Sequence, residues 1–336
     1  MCSCKVQFLT PEMEQVKQLR LSFSSLEQLH SCERKFQLEK LLANPKREDS
    51  VHLWFGKAFG AGVAEFLLTG SKDRAIFRAW MEYDSVLAKD RKSKYSCIYY
   101  LLQSFSHLEN LLQNYEVPLF DGKPAIELSF RLNINETKYF VGHIDVVLRN
   151  KVTGVYYVLE IKTTTSRLLD LDPEYRHSVQ TVGYSTALDK IVGKKLSSYG
   201  VIYFVCQLPQ WNATDNIAKF HTMPYIKTLT DRLEWFVQLG IDVQRIEQME
   251  MLGIFPRRAK ACTSYGRVCI HFGTCHLKNF DLPAPEEPDE IQYQFTFDLE
   301  DVIADHLERI SNLPVQQSMG EPVRAFSQNA GVTSID

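Results

Sequence analysis

Residues 156–165, YYVLEIKTTT, form an apolar run interrupted by a carboxylate and an ammonium two positions apart, Glu160 and Lys162. Side chains in a strand alternate between faces, so Glu160 and Lys162 are displayed on one side while Leu159 and Ile161 point into the opposite layer. Asp145, in GHIDVVL, lies on the preceding strand-like run, and the short NKVTG turn predicts an antiparallel hairpin that brings it near Glu160. Two carboxylates at one spot repel unless a cation neutralises them, and hard oxygen ligands suit Mg²⁺ or Mn²⁺. A lysine beside them can orient or polarise an attacking water, or stabilise charge developing on a phosphate. This trio suits metal-assisted phosphodiester hydrolysis. Taken alone, E-x-K equally suits an ion pair on a half-exposed strand.

The elements that position these residues follow from the hydrophobic pattern. Residues 21–42 read as a helix, with Ser22 or Ser24 as N-cap and Leu26, Leu29, Phe36 and Leu38 at helical spacing. A second helix is predicted within FGKAFGAGVAEFLLTG (55–70), and two more over 72–115. From residue 125 the pattern changes to AIELSF, KYFVGHIDVVLRN and VYYVLEIKTT, three β-rich runs separated by turns. A helix (HSVQTVGYSTALDKI), a strand (YGVIYFVCQL), an edge strand (IAKFHTMPY) and a long helix from about 227 to 252 follow. Strands, helix, strand, helix is the order of an α/β sheet. The expected organisation is an extension over 1–20 and one domain over 21–280: a helical part to about 120, a sheet core over 125–225, and a cysteine-rich closure over 255–280. Residues 281–336, Pro- and acid-rich with one helical patch at DVIADHLERI, read as a peripheral or partly disordered tail.

The 336 residues, 45% hydrophobic and 24% charged, suffice for a substantial core. A formal charge of −3 neither demands nor excludes a nucleic-acid partner, so binding would need local basic patches. No long apolar h-region opens the chain, and no uninterrupted run of about eighteen apolar residues occurs, so a cytoplasmic protein without membrane partners is expected. Its eight cysteines are then read for metal rather than disulfides.

Gly142-x-x-Asp145, then Glu160-x-Lys162 after a hairpin, then Gln180-x-x-x-Tyr184 on the next helix resembles the PD-(D/E)XK nuclease superfamily, specifically its RecB-like branch. The resemblance covers roughly residues 20–280 and implies a restriction-endonuclease-like core: a mixed sheet flanked by helices. It also implies a metal-dependent deoxyribonuclease, an exonuclease rather than an endonuclease, acting on DNA in replication, recombination or degradation. Asp145 and Glu160 would bind the divalent metal and Lys162 would act on water and phosphate. Gln180 and Tyr184, one turn apart, would contact the DNA backbone or position the lysine. Where RecB-like nucleases carry a metal-binding histidine on an N-terminal helix, this chain has Gly60; Glu65 and Glu127 are candidate substitute carboxylates. That departure leaves open a catalytically weakened module that binds DNA or protein. No G-x-x-x-x-G-K-[ST] segment is present, so any unwinding would come from a helicase or other replication or recombination partner.

Cys262, Cys269 and Cys275 fall within fourteen residues, separated by six and five residues rather than the C-x2-4-C of common zinc sites. A fourth ligand must come from elsewhere, and Cys32 is the candidate. One N-terminal cysteine with a distant C-terminal trio resembles the iron–sulfur variant of the RecB-like nucleases, seen in helicase–nuclease subunits, CRISPR-associated spacer-acquisition nucleases and phage exonucleases. The resemblance implies a [4Fe–4S] cluster clasping the two ends of the domain. A zinc site completed by His271 or His276 is the competing assignment. Cys97 and Cys206 read as buried free thiols. Arg34, Lys35, Arg257, Arg258 and Lys260 flank the proposed cluster cysteines and form a candidate phosphate-binding patch, with Phe36, Phe255, Tyr265 and Phe272 as neighbouring aromatics.

Overall fold

A computed structural model describes residues 18–42, 51–83, 93–210, 216–264, 267–276 and 292–313. Cys2, Cys4, the NPKREDS turn, Tyr265 and the LPAPEEPDE stretch lie outside the described residues. The helical first third comprises β1 (Leu19–Leu21), α1 (Phe23–Ser31), α2 (Glu33–Phe36), a π-helical turn (Gln37–Leu41), α3 (Val51–Thr69), α4 (Lys72–Glu82) and α5 (Lys94–Asn114). Three two-residue strands, β2 (Tyr115–Glu116), β3 (Leu119–Phe120) and β4 (Lys123–Pro124), lead into β5 (Ile126–Asn135), β6 (Lys138–Asn150) and β7 (Tyr156–Thr164). The crossover helices α6 (Leu168–Arg176), α7 (Val179–Ser185) and α8 (Leu188–Val192) precede β8 (Ser198–Gln207), β9 (Lys219–Thr228) and α9 (Leu229–Leu252). A small ribbon of β10 (Thr263–Ser264) and β11 (Arg267–Val268), then β12 (Phe295–Asp298) and α10 (Leu299–Ser311), complete the chain.

The predicted helix over 21–42 is not continuous. Ser22 caps α1 in a capping box with Ser25, but Cys32 is extended (φ −161°, ψ 112°) and breaks the helix. The break turns α2 so that the fully buried Glu33 reaches Arg245 and Arg258. A buried carboxylate is tolerated only when charge-paired and hydrogen-bonded, so these arginines determine the bend as much as local propensity does.

The main sheet runs β12-β5-β6-β7-β8-β9, with β1 and β2 pairing on β6. Pairs β5/β6, β6/β7 and β8/β9 are antiparallel, whereas β7/β8 and β12/β5 are parallel. The expected hairpin forms because Asn150 Oδ1 accepts from Val152 and Thr153 N–H (2.9 and 2.8 Å) and Gly154 adopts φ +69°. Parallel β7 and β8 need a crossover, which α6–α8 supply. One sheet face packs on α1, α7, α9 and α10 through residues such as Phe140, Val147, Val158 and Phe236, and the other packs on α3–α5 through Phe59, Tyr100, Leu148 and Phe204. The result is a mixed sheet between helical layers, the α/β architecture expected. Each fully buried aromatic ring in these layers contributes about 1.5–3 kcal/mol of hydrophobic stabilisation.

Residues 295–311 are not a tail. β12 pairs with β5 from Phe295↔Phe130 to Asp298↔Asn133, and Leu299 of α10 joins the core. Their partners are more than 160 positions away in sequence, so local periodicity carried only the helix. Among the described residues no helix is long and apolar enough to cross a membrane.

Candidate active site

Three adjacent strands carry the carboxylates. The β5/β6 ladder pairs Ile126 with Val146 and Leu128 with Ile144, which puts Glu127 opposite Asp145. The β6/β7 ladder ends at Val146↔Leu159, so Asp145 and Glu160 are the next residues beyond it on their strands. All three line one cavity of about 410 Å³, together with His52, Gly60 and Glu82. Gly142, part of the sequence motif, lies under Phe130: a Cβ there would meet that ring at 2.3 Å. Its role is close packing of β6 against β5, next to the site.

Charge crowding is evident at Asp145. Burial first, then the charge of Glu160, push its carboxyl up to about 7, with Glu127 adding and Lys162 and the Ile161 N–H opposing. Glu160 is 4% exposed, and its Oε2 has no hydrogen-bond partner. An unsatisfied buried carboxylate oxygen beside a second carboxylate is a donor set that fits a hard divalent cation. Among the described residues no three His, Cys, Asp or Glu side chains converge as a closed metal cage would. Asp145 and Glu160 would therefore hold such an ion with water or substrate oxygens completing the shell, as Mg²⁺ tolerates.

This arrangement has a measurable consequence in the metal-free protein. Asp145 stays protonated to about 7 in the folded chain, whereas its ordinary value is 3.8, so the folded state binds the extra proton between those limits. Its contribution to stability is complete below about 4 and is lost as pH rises through about 7. In EDTA at pH 8, Asp145→Asn is expected to melt at least about 3 °C above the parent, and the two are expected to converge at pH 4. Mg²⁺ should raise the parent's Tm and leave the variant's unchanged. Thermal melts across this pH range test both expectations.

Lys162 Nζ lies 2.7 Å from Glu160 Oε1 and donates to Gln180 Oε1 at 3.2 Å. Gln180 Nε2 donates in turn to Tyr184 OH at 2.8 Å. Burial alone would lower the lysine, but the Glu160 charge and hydrogen bond, with Tyr203 and Asp145 adding, hold it above its ordinary value, so it is an ammonium at neutral pH. Tyr184 is buried edge-on against Phe23 and Phe130, and burial pushes its hydroxyl upward. Tyr184 thus contacts Gln180, and Gln180 contacts Lys162. On the far side of the Glu160–Lys162 pair a second cavity of about 390 Å³ opens, lined by Lys162, Gln180, Tyr203, His30 and Asp242.

The remaining candidates separate. Glu127 reaches the cavity with φ +51°, a left-handed conformation rare for a non-glycine residue in a strand. Glu65 does not reach it: five residues beyond Gly60 it has turned about 140° round α3, where Arg74 binds it at 2.7 Å. A Cβ on Gly60 would meet nothing within 4 Å, so the departure from the family pattern leaves open space. Sequence reasoning missed His52 and Glu82. His52, Gly56 and Gly60 recur at i, i+4 and i+8 on one helix face, a signal that was present. Glu82 is held below the usual carboxylate range by its hydrogen bond to Lys57 (2.5 Å), with Arg78 adding.

At the other end of the domain, Cys32, Cys262, Cys269 and Cys275 line one cavity with Arg34, Lys35 and His271. None of the four is in a disulfide. Polar contacts dock the C-terminal segment here: the Glu33–Arg258 ion pair (2.8 Å to Nε), the His271–Glu39 hydrogen bond (3.0 Å), and Arg34 Nε donating to Cys275 O (3.2 Å). Arg34 is buried and Phe36 and Phe255 are core, which removes them from the expected phosphate patch, whereas Arg258 pairs with Glu33 and stays half exposed. His271 Nε2 faces Glu39 and its buried Nδ1 has no hydrogen-bond partner. Cys97 of α5 and Cys206 of β8 are buried between the sheet and α3–α5, where burial pushes the Cys97 thiol up to about 12 and also raises Cys206.

A mixed sheet presenting an aspartate, a Glu-x-Lys pair and an anchored lysine beside an open cavity has the form of an α/β nuclease. The chain belongs to the PD-(D/E)XK nuclease superfamily, whose family model matches residues 20–311. A crystal structure of a protein from Eubacterium rectale, provisionally described as an exonuclease, matches with 12% identity and a TM-score of 0.44, covering 81% of this chain and 100% of that one. No curated protein matches.

Proposed function

We propose that this nuclease is a Mg²⁺- or Mn²⁺-dependent DNA exonuclease of the RecB-like branch, with Cys32, Cys262, Cys269 and Cys275 holding a [4Fe–4S] cluster. The observation that carries the catalytic part is the unsatisfied Glu160 Oε2 beside Asp145, with the ammonium of Lys162 fixed 2.7 Å from the other Glu160 oxygen. When bound, a divalent cation supplies a Lewis acid and lowers the pKa of a coordinated water. Asp145 and Glu160 hold that cation. Lys162, kept charged by Glu160 and oriented by Gln180, faces the phosphate and stabilises negative charge developing on its oxygens. Lys57 and Arg78 also line the carboxylate cavity and would receive further phosphates.

The cluster reading is supported by four cysteines from distant parts of the chain meeting at one cavity with a basic rim. Thiolates suit iron–sulfur clusters, and nearby cations offset their negative charge. His271, whose buried Nδ1 has no hydrogen-bond partner, makes a zinc site the alternative.

The test is anaerobic purification followed by incubation with end-labelled single- and double-stranded DNA and Mn²⁺ or Mg²⁺. Progressive shortening from an end, absent in EDTA and in Glu160→Ala, is the expected result. Internal cuts would make it an endonuclease. Binding without cleavage would support a weakened DNA-binding module, the reading that Gly60 favours.

A further inference from the structure

We propose that the outward face of α4 and α5 is a stacking platform that receives single-stranded nucleic acid and leads it to the carboxylate cavity; the inference rests on the nuclease reading above. Large apolar side chains stand in solvent there: Phe77 (66% exposed) and Met81 (63%) beside Trp80 on α4, and Tyr95 (74%) with Tyr99 and Leu102 on α5. Contiguous exposure of this kind marks a binding surface. The spacing is organised, because Phe77 neighbours Trp80 and Met81 at i+3 and i+4, and Tyr95 neighbours Tyr99 at i+4. The rings of Trp80 and Tyr95 touch across the two helices (centroids 5.5 Å apart), joining the two rows into one.

Two observations select the occupant. Lys94 Nζ lies 4.3 Å over the Trp80 ring, and Arg78 shares α4 with Phe77 and Trp80, so positive charge accompanies the rings. Aromatic faces with interleaved cations suit bases and phosphates, whereas protein-docking patches are depleted in lysine. The face also continues into the site: Arg78 and Glu82 line the carboxylate cavity, and Met81 stands one helical turn from Arg78. The bases of a duplex already stack on one another, so the ring faces select an unpaired strand.

Fluorescence anisotropy of a labelled single-stranded oligonucleotide and of its duplex, on the full chain in a Lys162→Ala background without divalent metal, tests this. Phe77→Ala/Tyr95→Ala is expected to weaken single-strand binding at least about tenfold, the loss expected for a lost stacking partner, and to leave duplex binding within about twofold. Tyr95→Phe, which keeps the ring, should bind like the parent, and unchanged melting would show that the double variant folds. With Lys162 restored, the double variant should raise KM for single-stranded DNA while kcat holds. Unchanged single-strand affinity overturns the proposal, as does equal loss on both substrates. Altered sedimentation with DNA binding intact would assign the face to a protein partner and overturn it too. A parent that binds through these rings but cleaves nothing would refute the nuclease reading and spare this one.

Discussion

Lys162→Ala is expected to lower metal-dependent DNA cleavage by about 10²–10³-fold, the usual loss when one preorganised charge facing the reacting group is removed. The effect should fall on kcat, because Lys57 and Arg78, which line the carboxylate cavity, remain to hold the substrate's phosphates. Glu160 loses its partner in this variant, yet Asp145 and Glu160 both remain, so the divalent-cation gain in Tm should survive. That separates the lysine's role from metal binding. Gln180→Ala removes the 3.2 Å contact that orients the ammonium while leaving the charge in place, and a loss of about 10–100-fold is expected. Gln180→Glu should recover much of it, since a carboxylate also accepts from the ammonium. Rates on end-labelled DNA at saturating substrate measure all three. Full activity in Lys162→Ala would reduce the Glu160–Lys162 contact to a structural ion pair.

Cys32→Ala is expected to abolish the brown colour of the anaerobically purified protein and to lower its Tm by about 10 °C. A cross-link between residue 32 and the 262–275 segment closes a loop of more than two hundred residues. Loop-closure entropy makes such a constraint worth on the order of 3–5 kcal/mol, by the argument applied to other covalent ties. The variant should still fold, because Glu33 with Arg258 and Glu39 with His271 continue to dock the segment. Cys97→Ala and Cys206→Ala should keep the colour. Absorbance near the iron–sulfur charge-transfer band, with iron and zinc analysis, decides the matter. A colourless parent containing zinc would replace the cluster with the His271-assisted site, and a parent with neither metal would leave four free thiols.

Much of the chemistry was legible because it is local. Glu160 and Lys162 share a face by strand alternation alone, and the NKVTG turn fixed which strand pairs back, bringing Asp145 alongside. The long helix α9 and the edge position of β9 were equally visible in periodicity. What escaped depends on partners distant in sequence. The break at Cys32 answers to Arg245 and Arg258, more than 200 residues on, and Glu65 was lost to Arg74 because the phase of α3 against α4 cannot be read from α3. Arg34 looked like surface charge until its partners, Gln37 and the Cys275 carbonyl, were known. The left-handed Glu127 shows no sequence signal, since nothing in AIELSF announces a positive φ.

The pairing of β12 with β5 matters beyond the fold. A chain cut near residue 280, at the boundary the sequence suggests, would bare the β5 backbone from Phe130 to Asn133 as an open edge, with the apolar Phe130 and Leu132 freed of cover. Such edges recruit strands from other molecules and seed aggregation. The last described strand thus acts as a guard on solubility, and a shortened chain's failure would be colloidal before it was catalytic.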